Sequence, residues 1–444
     1  MKIRVKFLIG FILMVMFLGA QIEGKFFPYT YQVRTLDNGF KVIMIPLKGS
    51  GLVAYYSVVR TGSRDEWEKG HTGFAHFFEH MMFRGTKKYP GSVYDQIMTE
   101  MGANANAYTT DDLTCYYLVF ASEDLEKVID LESDRFENLY YTERDFKTEA
   151  GAVYGEFLKS KANPYFLLEE ALYNTAFDVH TYKHTTIGFQ EDIEAMPTMY
   201  DYSKSFLTRY YRPENVVVLI VGDFDSEKAF SIIKKYYGDW KKGYVPPKIT
   251  LEPEQKQERF TEVEYSGKTL PILAIGYKSP AFTTKNKDWL ACDIFGELAF
   301  GSNSEIFKEL VLEKQIVQSI SPYFSINRDP NLNSIITMVK EEKDINQVKE
   351  RIELAIKKFQ EESVSLEQLE RQKKRMKYSF LMSLNAPDRI AGRLARFVAL
   401  TGGIEVVDEL FELLEKITPE DIQKVAQKYF VPEKRTVVVL KGGK

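Results

Sequence analysis

Two hydrophobic rhythms run along the chain. Alternation over residues 31–36 and 40–45, around Asn38-Gly39, reads as a hairpin. Residues 52–59 and 114–120 read as further strands. Apolar residues recur at helical spacing over 92–101, 124–138, 142–161 and 164–177, and Thr142 with Asp145 has the form of a capping box. A helix at 199–211, a continuous apolar strand at 215–222 and a helix at 226–240 follow. The charged run 241–258, with Pro246-Pro247, reads as a linker. Beyond it come a strand at 270–276, helices at 285–300 and 304–313, and strands at 317–326 and 333–339. Helices then begin at Asp344, Ser365, Pro387 and Pro419.

The second half repeats the first. Tyr211-Arg-Pro-Glu-Asn-Val-Val-Val-Leu-Ile-Val-Gly222 is echoed by Tyr429-Phe-Val-Pro-Glu-Lys-Arg-Thr-Val-Val-Val-Leu440, each after a helix. At 444 residues two domains are the natural expectation. The pattern therefore predicts an α+β chain of two duplicated domains, each a mostly antiparallel sheet with helices packed on it. Their expected extents are 26–245 and 259–444, joined by 246–258.

Composition narrows the function classes. A hydrophobic share of 44% and a charged share of 27% are those of a globular protein. A formal net charge of −4 gives no bulk reason to bind nucleic acid or an anionic membrane. The two cysteines, Cys115 and Cys292, form no disulfide framework and read as separate buried thiols. Lys2, Arg4 and Lys6 precede an apolar block at 7–19, too short for a comfortable span and right for a signal-peptide core. Residues 1–20 are thus expected to be a secretory signal, placing the mature protein outside the cytoplasm, most simply in a periplasm. Leu18 is large for its place before a cleavage after Ala20, so a retained membrane anchor is the alternative.

The chemistry lies in His76-Phe-Phe-Glu79-His80. On a helix, Phe74, Phe77, Phe78, Met81 and Met82 fall on one face and His76, Glu79 and His80 on the other. Imidazoles at i and i+4 can reach one metal ion, and the carboxylate beside them is placed as a general base on activated water. Composition alone gives such a pattern a chance of roughly half a percent in a chain like this. Glu149 and Glu156, seven residues apart on one predicted helix, share a face beside Gly151, Ala152 and Gly155, where small side chains would let another helix approach. By themselves they are equally well two solvated carboxylates. A second His pair, His180 and His184, sits in a loop-like stretch without a carboxylate between them and is not expected to hold metal.

Taken together, Gly62-Ser63-Arg64, the His76–His80 motif, Asn106-Ala-Tyr-Thr109, the Glu149 and Glu156 helix, Thr186-Ile-Gly188 with Glu191-Asp-Ile193, and Tyr211-Arg-Pro-Glu-Asn215 resemble the pitrilysin/insulinase family of zinc metallopeptidases. The likeness is to the half-length branch similar to mitochondrial processing peptidase. It implies one Zn2+ per chain on His76, His80 and Glu156, with Glu79 as general base and Glu149 as a supporting carboxylate. It also implies that Asn106 and Ala107 lie on an edge strand to which extended substrate adds. Many family members carry an Arg and, seven residues on, a Tyr that contact substrate; alignment puts Val311 and Gln318 there. Arg371 and Tyr378 have the spacing but lie in a charged run expected to be a solvated helix face.

The expected activity is that of a secreted zinc endopeptidase acting on peptides or unfolded segments inside a dimeric chamber. The alternative is a non-hydrolytic binding or assembly subunit of the same fold. The missing pair favours a heterodimer, with a similar chain that keeps Arg and Tyr and lacks the zinc motif, over a homodimer.

Overall fold

The computed structural model describes residues 25–443, so the expected signal segment lies outside the described residues. In chain order the first half comprises β1 (Gln32–Thr35), β2 (Lys41–Pro46), β3 (Leu52–Val59), α1 (Phe74–Met81), α2 (Gly91–Glu100), β4 (Asn104–Thr109), β5 (Thr114–Ala121), α3 (Leu125–Asn138), α4 (Glu143–Ser160), α5 (Pro164–Ala176), α6 (Gln190–Ala195), α7 (Tyr200–Tyr210), β6 (Val216–Gly222) and α8 (Ser226–Tyr237). After an irregular stretch come β7 (Arg259–Tyr265), β8 (Ile272–Lys278), α9 (Asp288–Phe300), α10 (Glu305–Phe307, running on as a π-type turn over Lys308–Glu313), β9 (Val317–Phe324) and β10 (Leu332–Val339). The chain ends with α11 (Ile345–Glu361), α12 (Leu366–Ser383), α13 (Pro387–Thr401), α14 (Val406–Glu415), α15 (Pro419–Tyr429) and β11 (Arg435–Gly442). No helix among the described residues is long and apolar enough to cross a membrane.

The strands form two sheets of one design. The first runs β1-β2-β6-β3-β5-β4 and the second β7-β11-β8-β10-β9. Only β2 with β6 and β7 with β11 are parallel; every other neighbour is antiparallel. β6 and β11, the strands of the sequence echo, occupy the same place in their sheets. The expected α+β duplication is what the molecule has.

The continuous apolar runs are explained by burial on both faces. In β6, Val216, Val218 and Ile220 face a core made with helices of the first half, while Val217, Leu219 and Val221 face a second core. That second core is completed by α13, which packs on β3 and β6 although it lies in the other half of the sequence. The exchange is mutual: α5 packs on β7, β8 and β11, with Leu168 and Leu172 against Ile272, Ala274, Val438 and Leu440. Sequence periodicity predicts both helices but gives no sign that each covers the partner sheet.

Other differences are local. Gly151 and Gly155 have nothing within 4 Å of a Cβ position, so no helix among the described residues packs on that face of α4. β7 extends into the stretch before residue 270 where no strand was expected. The region after Pro387 splits into α13 and α14 at Gly402, whose φ of 80° ends the first helix. Cys115 and Cys292 are buried and unbridged, as expected.

Candidate metal centre

α1 owes its position to the turn before it. The buried Glu66 carboxyl group accepts the N–H groups of Gly73 at 2.7 Å and Ala75 at 2.6 Å, giving partners to N–H groups that the start of the helix leaves free. Asp192 accepts the Thr72 N–H at 3.1 Å and hydroxyl at 2.7 Å, tying the same turn to α6. Gly73 has φ 87°, and a Cβ there would lie 2.3 Å from Ile193 Cδ1, so the turn has room for glycine alone. The apolar face of α1 buries Phe74, Phe77, Phe78 and Met81. Phe77 meets Phe146 of α4 edge-on, with ring centres 5.0 Å apart. α4 starts at the expected capping box, Asp145 N–H to Thr142 Oγ1 at 3.2 Å and Thr142 N–H to Asp145 Oδ2 at 2.9 Å.

These contacts bring His76, His80 and Glu156 together. Among the described residues they alone form a three-ligand metal-holding group, their ligand atoms all within 4.8 Å of one another. Glu156 Oε2 lies 3.3 Å from His80 Nε2 and 3.8 Å from His76 Nε2. Ligand bonds of about 2.0–2.1 Å in a tetrahedron separate neighbouring donor atoms by about 3.3 Å, so the set fits zinc with a modest closure.

The second carboxylate of α4 does something else. Glu149 accepts from His80 Nδ1 at 3.0 Å and from Arg84 Nε at 2.7 Å. In the neutral ring the proton belongs on Nδ1, facing Glu149, which leaves Nε2 bare toward the group. Exposure divides the two: the Glu156 side chain is 45% exposed and that of Glu149 9%. Burial opposes ionisation of Glu149, but His80 and Arg84 outweigh it and lower its pKa. The bond to Glu149 raises His80, whereas burial, aided by His80, pushes His76 down to about 3. His76 therefore carries a free lone pair at neutral pH.

Glu79 stands beside this group. Burial raises its pKa against the opposing hydrogen bond from Thr109, whose hydroxyl donates to Oε2 at 2.6 Å. A groove of about 910 Å³ opens here, lined by Glu79, His80, Phe83, Arg84 and Asn106. Its wall includes β4, the edge of the first sheet, which among the described residues pairs only with β5. Asn106 is exposed, and its Oδ1 accepts the Ala107 N–H at 2.8 Å.

The remaining candidates lie elsewhere. His180 Nε2 meets Asp329 at 3.1 Å, and His184 Nδ1 donates to the Thr185 carbonyl at 2.9 Å, so this pair has structural partners. Val311 packs partly buried against the core and Gln318 is exposed on β9. Arg371 and Tyr378 are exposed on α12, Arg371 paired with Glu367. Sequence reasoning assigned no role to Thr109, Arg84 or Glu66; Thr109 was within reach as the last residue of the Asn106–Thr109 quartet.

Residues 52–189 match the family described as Insulinase (Peptidase family M16), and residues 199–376 match the Peptidase M16 inactive domain. The chain is 29% identical to zinc protease PqqE of Helicobacter pylori over 430 residues, 96% of each protein. The crystal structure of a protease from Helicobacter pylori superposes with a TM-score of 0.87 at 28% identity, covering 93% of this chain and 99% of that one. The periplasmic protease PqqL of Escherichia coli shares the fold at 19% identity with a TM-score of 0.75; the match takes in 95% of this chain and 48% of PqqL. With the duplicated sheets, the convergent His76, His80 and Glu156, and both family matches in their order along the sequence, the chain belongs to the insulinase, or M16, family of zinc peptidases.

Proposed function

We propose that the protein is a zinc-dependent endopeptidase exported from the cytoplasm, cutting peptides or unfolded segments laid along β4. The observation that carries this reading is the convergence of His76, His80 and Glu156 beside Glu79, a carboxylate that stays outside the group. Zinc held by the three would supply Lewis acidity, drawing charge from the scissile carbonyl and making water easier to deprotonate. Glu79 takes a proton from the attacking water and hands it to the amine nitrogen as the C–N bond breaks. Thr109 holds Glu79 in place, and Glu149 holds His80. An extended substrate pairs with β4 by displacing the Asn106 side chain from the Ala107 N–H. The domain extents 26–245 and 259–444 belong to the same proposal, as does removal of the first 20 residues.

The proposal includes a partner. Val311 and Gln318 offer no cation and no phenol, so a second, similar chain bearing Arg and Tyr would complete a heterodimeric chamber. Purified alone, the chain should bind one zinc ion and cleave peptides poorly; full activity of a homodimer would overturn the heterodimer.

The test of the chemistry is Glu79→Gln. It should keep zinc and lose about 10²–10⁴-fold in peptide cleavage, measured with the partner present. Chelation should abolish cleavage and zinc restore it. Cleavage surviving in the pure variant would overturn Glu79 as the base; no cleavage by the wild-type chain with zinc and partner present would leave a binding or assembly subunit as the better reading.

A further inference from the structure

The duplication gives the metal centre a counterpart. α1 follows β3 and faces α4; at the same places in the second half, α9 follows β8 and packs against α12. Where α1 carries His76 and His80 one turn apart, α9 carries Asp293 and Glu297 one turn apart. Both carboxylates line a cavity of about 440 Å³, which Arg375 of α12 and Arg393 of α13 also line, with Trp289 and Phe324 among its apolar walls. That volume is in the range of small-molecule sites, about 300–1,000 Å³.

The charges in this cavity lack hydrogen-bonded partners. Among the described residues, the side chains of Asp293, Glu297, Arg375 and Arg393 make no hydrogen bond or contact ion pair; Arg393 has the Phe380 ring 5.5 Å away and attracts Asp293 only at longer range. A third guanidinium, Arg396, donates from Nε to the Ile326 carbonyl at 3.2 Å. Burial pushes the Asp293 carboxyl up to about 6, reinforced by Glu297, and lowers Arg393. Asp293 and Glu297 are half-buried side by side while Arg375 and Arg393 are exposed, and a half-buried carboxylate pair without hydrogen bonds is costly unless something supplies positive charge. A simple anion would leave two neighbouring carboxylates unrelieved. A simple cation would leave the guanidiniums, and neither uses the aromatic walls. A ligand with an ammonium, a carboxylate and an apolar body meets all three.

We propose that the α9–α12 cavity binds a short peptide with free termini, its ammonium at Asp293 and Glu297, its carboxylate at Arg375 and Arg393, and its side chains on Trp289 and Phe324. This is a binding site, without hydrolysis, and it does not depend on the metal centre. If the metal centre works as proposed, such peptides are its products, and the chain carries a site that registers them.

The test is calorimetry on the full chain carrying Glu79→Gln, which prevents turnover of the probe. The probes are leucylphenylalanine, its N-acetyl form and its C-terminal amide. The free dipeptide should bind, and each blocked form should bind at least tenfold more weakly. Arg393→Gln should weaken the free dipeptide to the level of its amide, and Asp293→Asn to the level of its acetyl form. Arg375→Gln, exposed on α12, gives the carboxylate readout a second time if Arg393→Gln fails to fold. Absence of binding, equal binding of the three forms, or undiminished binding in folded Arg375→Gln would overturn the site. Hydrolysis is not measured, so failure of the metal chemistry leaves the result intact.

Discussion

Glu149 and Glu156 of α4 both meet His80 of α1, yet Glu149 is buried against Arg84 while Glu156 is half exposed beside His80 Nε2. Their variants should therefore differ. Glu156→Gln should abolish stoichiometric zinc binding, whereas Glu149→Gln should keep one site and weaken it about 10–100-fold, both by zinc titration. Gly73→Ala tests the turn that aims α1: it forces a side chain into positive φ and against Ile193, and should cost about 1–3 kcal/mol in denaturant unfolding. His76, Glu79 and His80 were legible because a four-residue spacing fixes relative direction on any helix. Glu156 was not, since spacing along α4 gives only a shared face, and choosing between it and Glu149 took the family resemblance. Glu66 was invisible because its carboxylate caps a helix that starts several residues later, through a loop with no periodicity.

Elements were more legible than their neighbours. Pro164 and helical spacing announce α5, and Pro387 announces α13, but amphipathicity says that a face is covered and not by what. The same limit applies to β7, whose residues alternate Phe260, Glu262 and Glu264 outward; without its parallel partner β11 the run resembles a charged linker. Leu172, buried between α5 and the second sheet, measures the exchange. Leu172→Ala should destabilise by about 2–5 kcal/mol, and a single urea transition should shift as a whole, because the lost contact belongs to both halves. Two separate transitions, with only the first shifted, would mean that α5 is not part of the second unit.

At the scale of the whole molecule, the halves are also joined by a polar knot. Asp329, in the loop between β9 and β10, accepts from Arg64 Nε at 2.6 Å and pairs with His180, both in the first half. Burial opposes its ionisation, but His180 and Arg64 hold its pKa down to about 2. Its folded pKa is below the ordinary carboxylate value, so the stability it adds is present above about pH 4 and is lost as pH falls through about 2. Asp329→Asn should cost about 2 kcal/mol at neutral pH, and the gap from wild type should close toward pH 2 in denaturant midpoints. Residues 26–245 and 246–444, made separately, should each fail to unfold cooperatively and should regain one transition on mixing. The crossed helices also impose an order in time. The first sheet is complete once Gly222 is made, yet α13 ends at Thr401, roughly 180 residues later, or about 10–40 s of synthesis at 5–20 residues per second. Through that interval one apolar face of the first sheet is without its cover, and α5 waits for strands not yet made. The chain cannot mature half by half as it emerges; it must be kept from aggregating until nearly its last helix is in place.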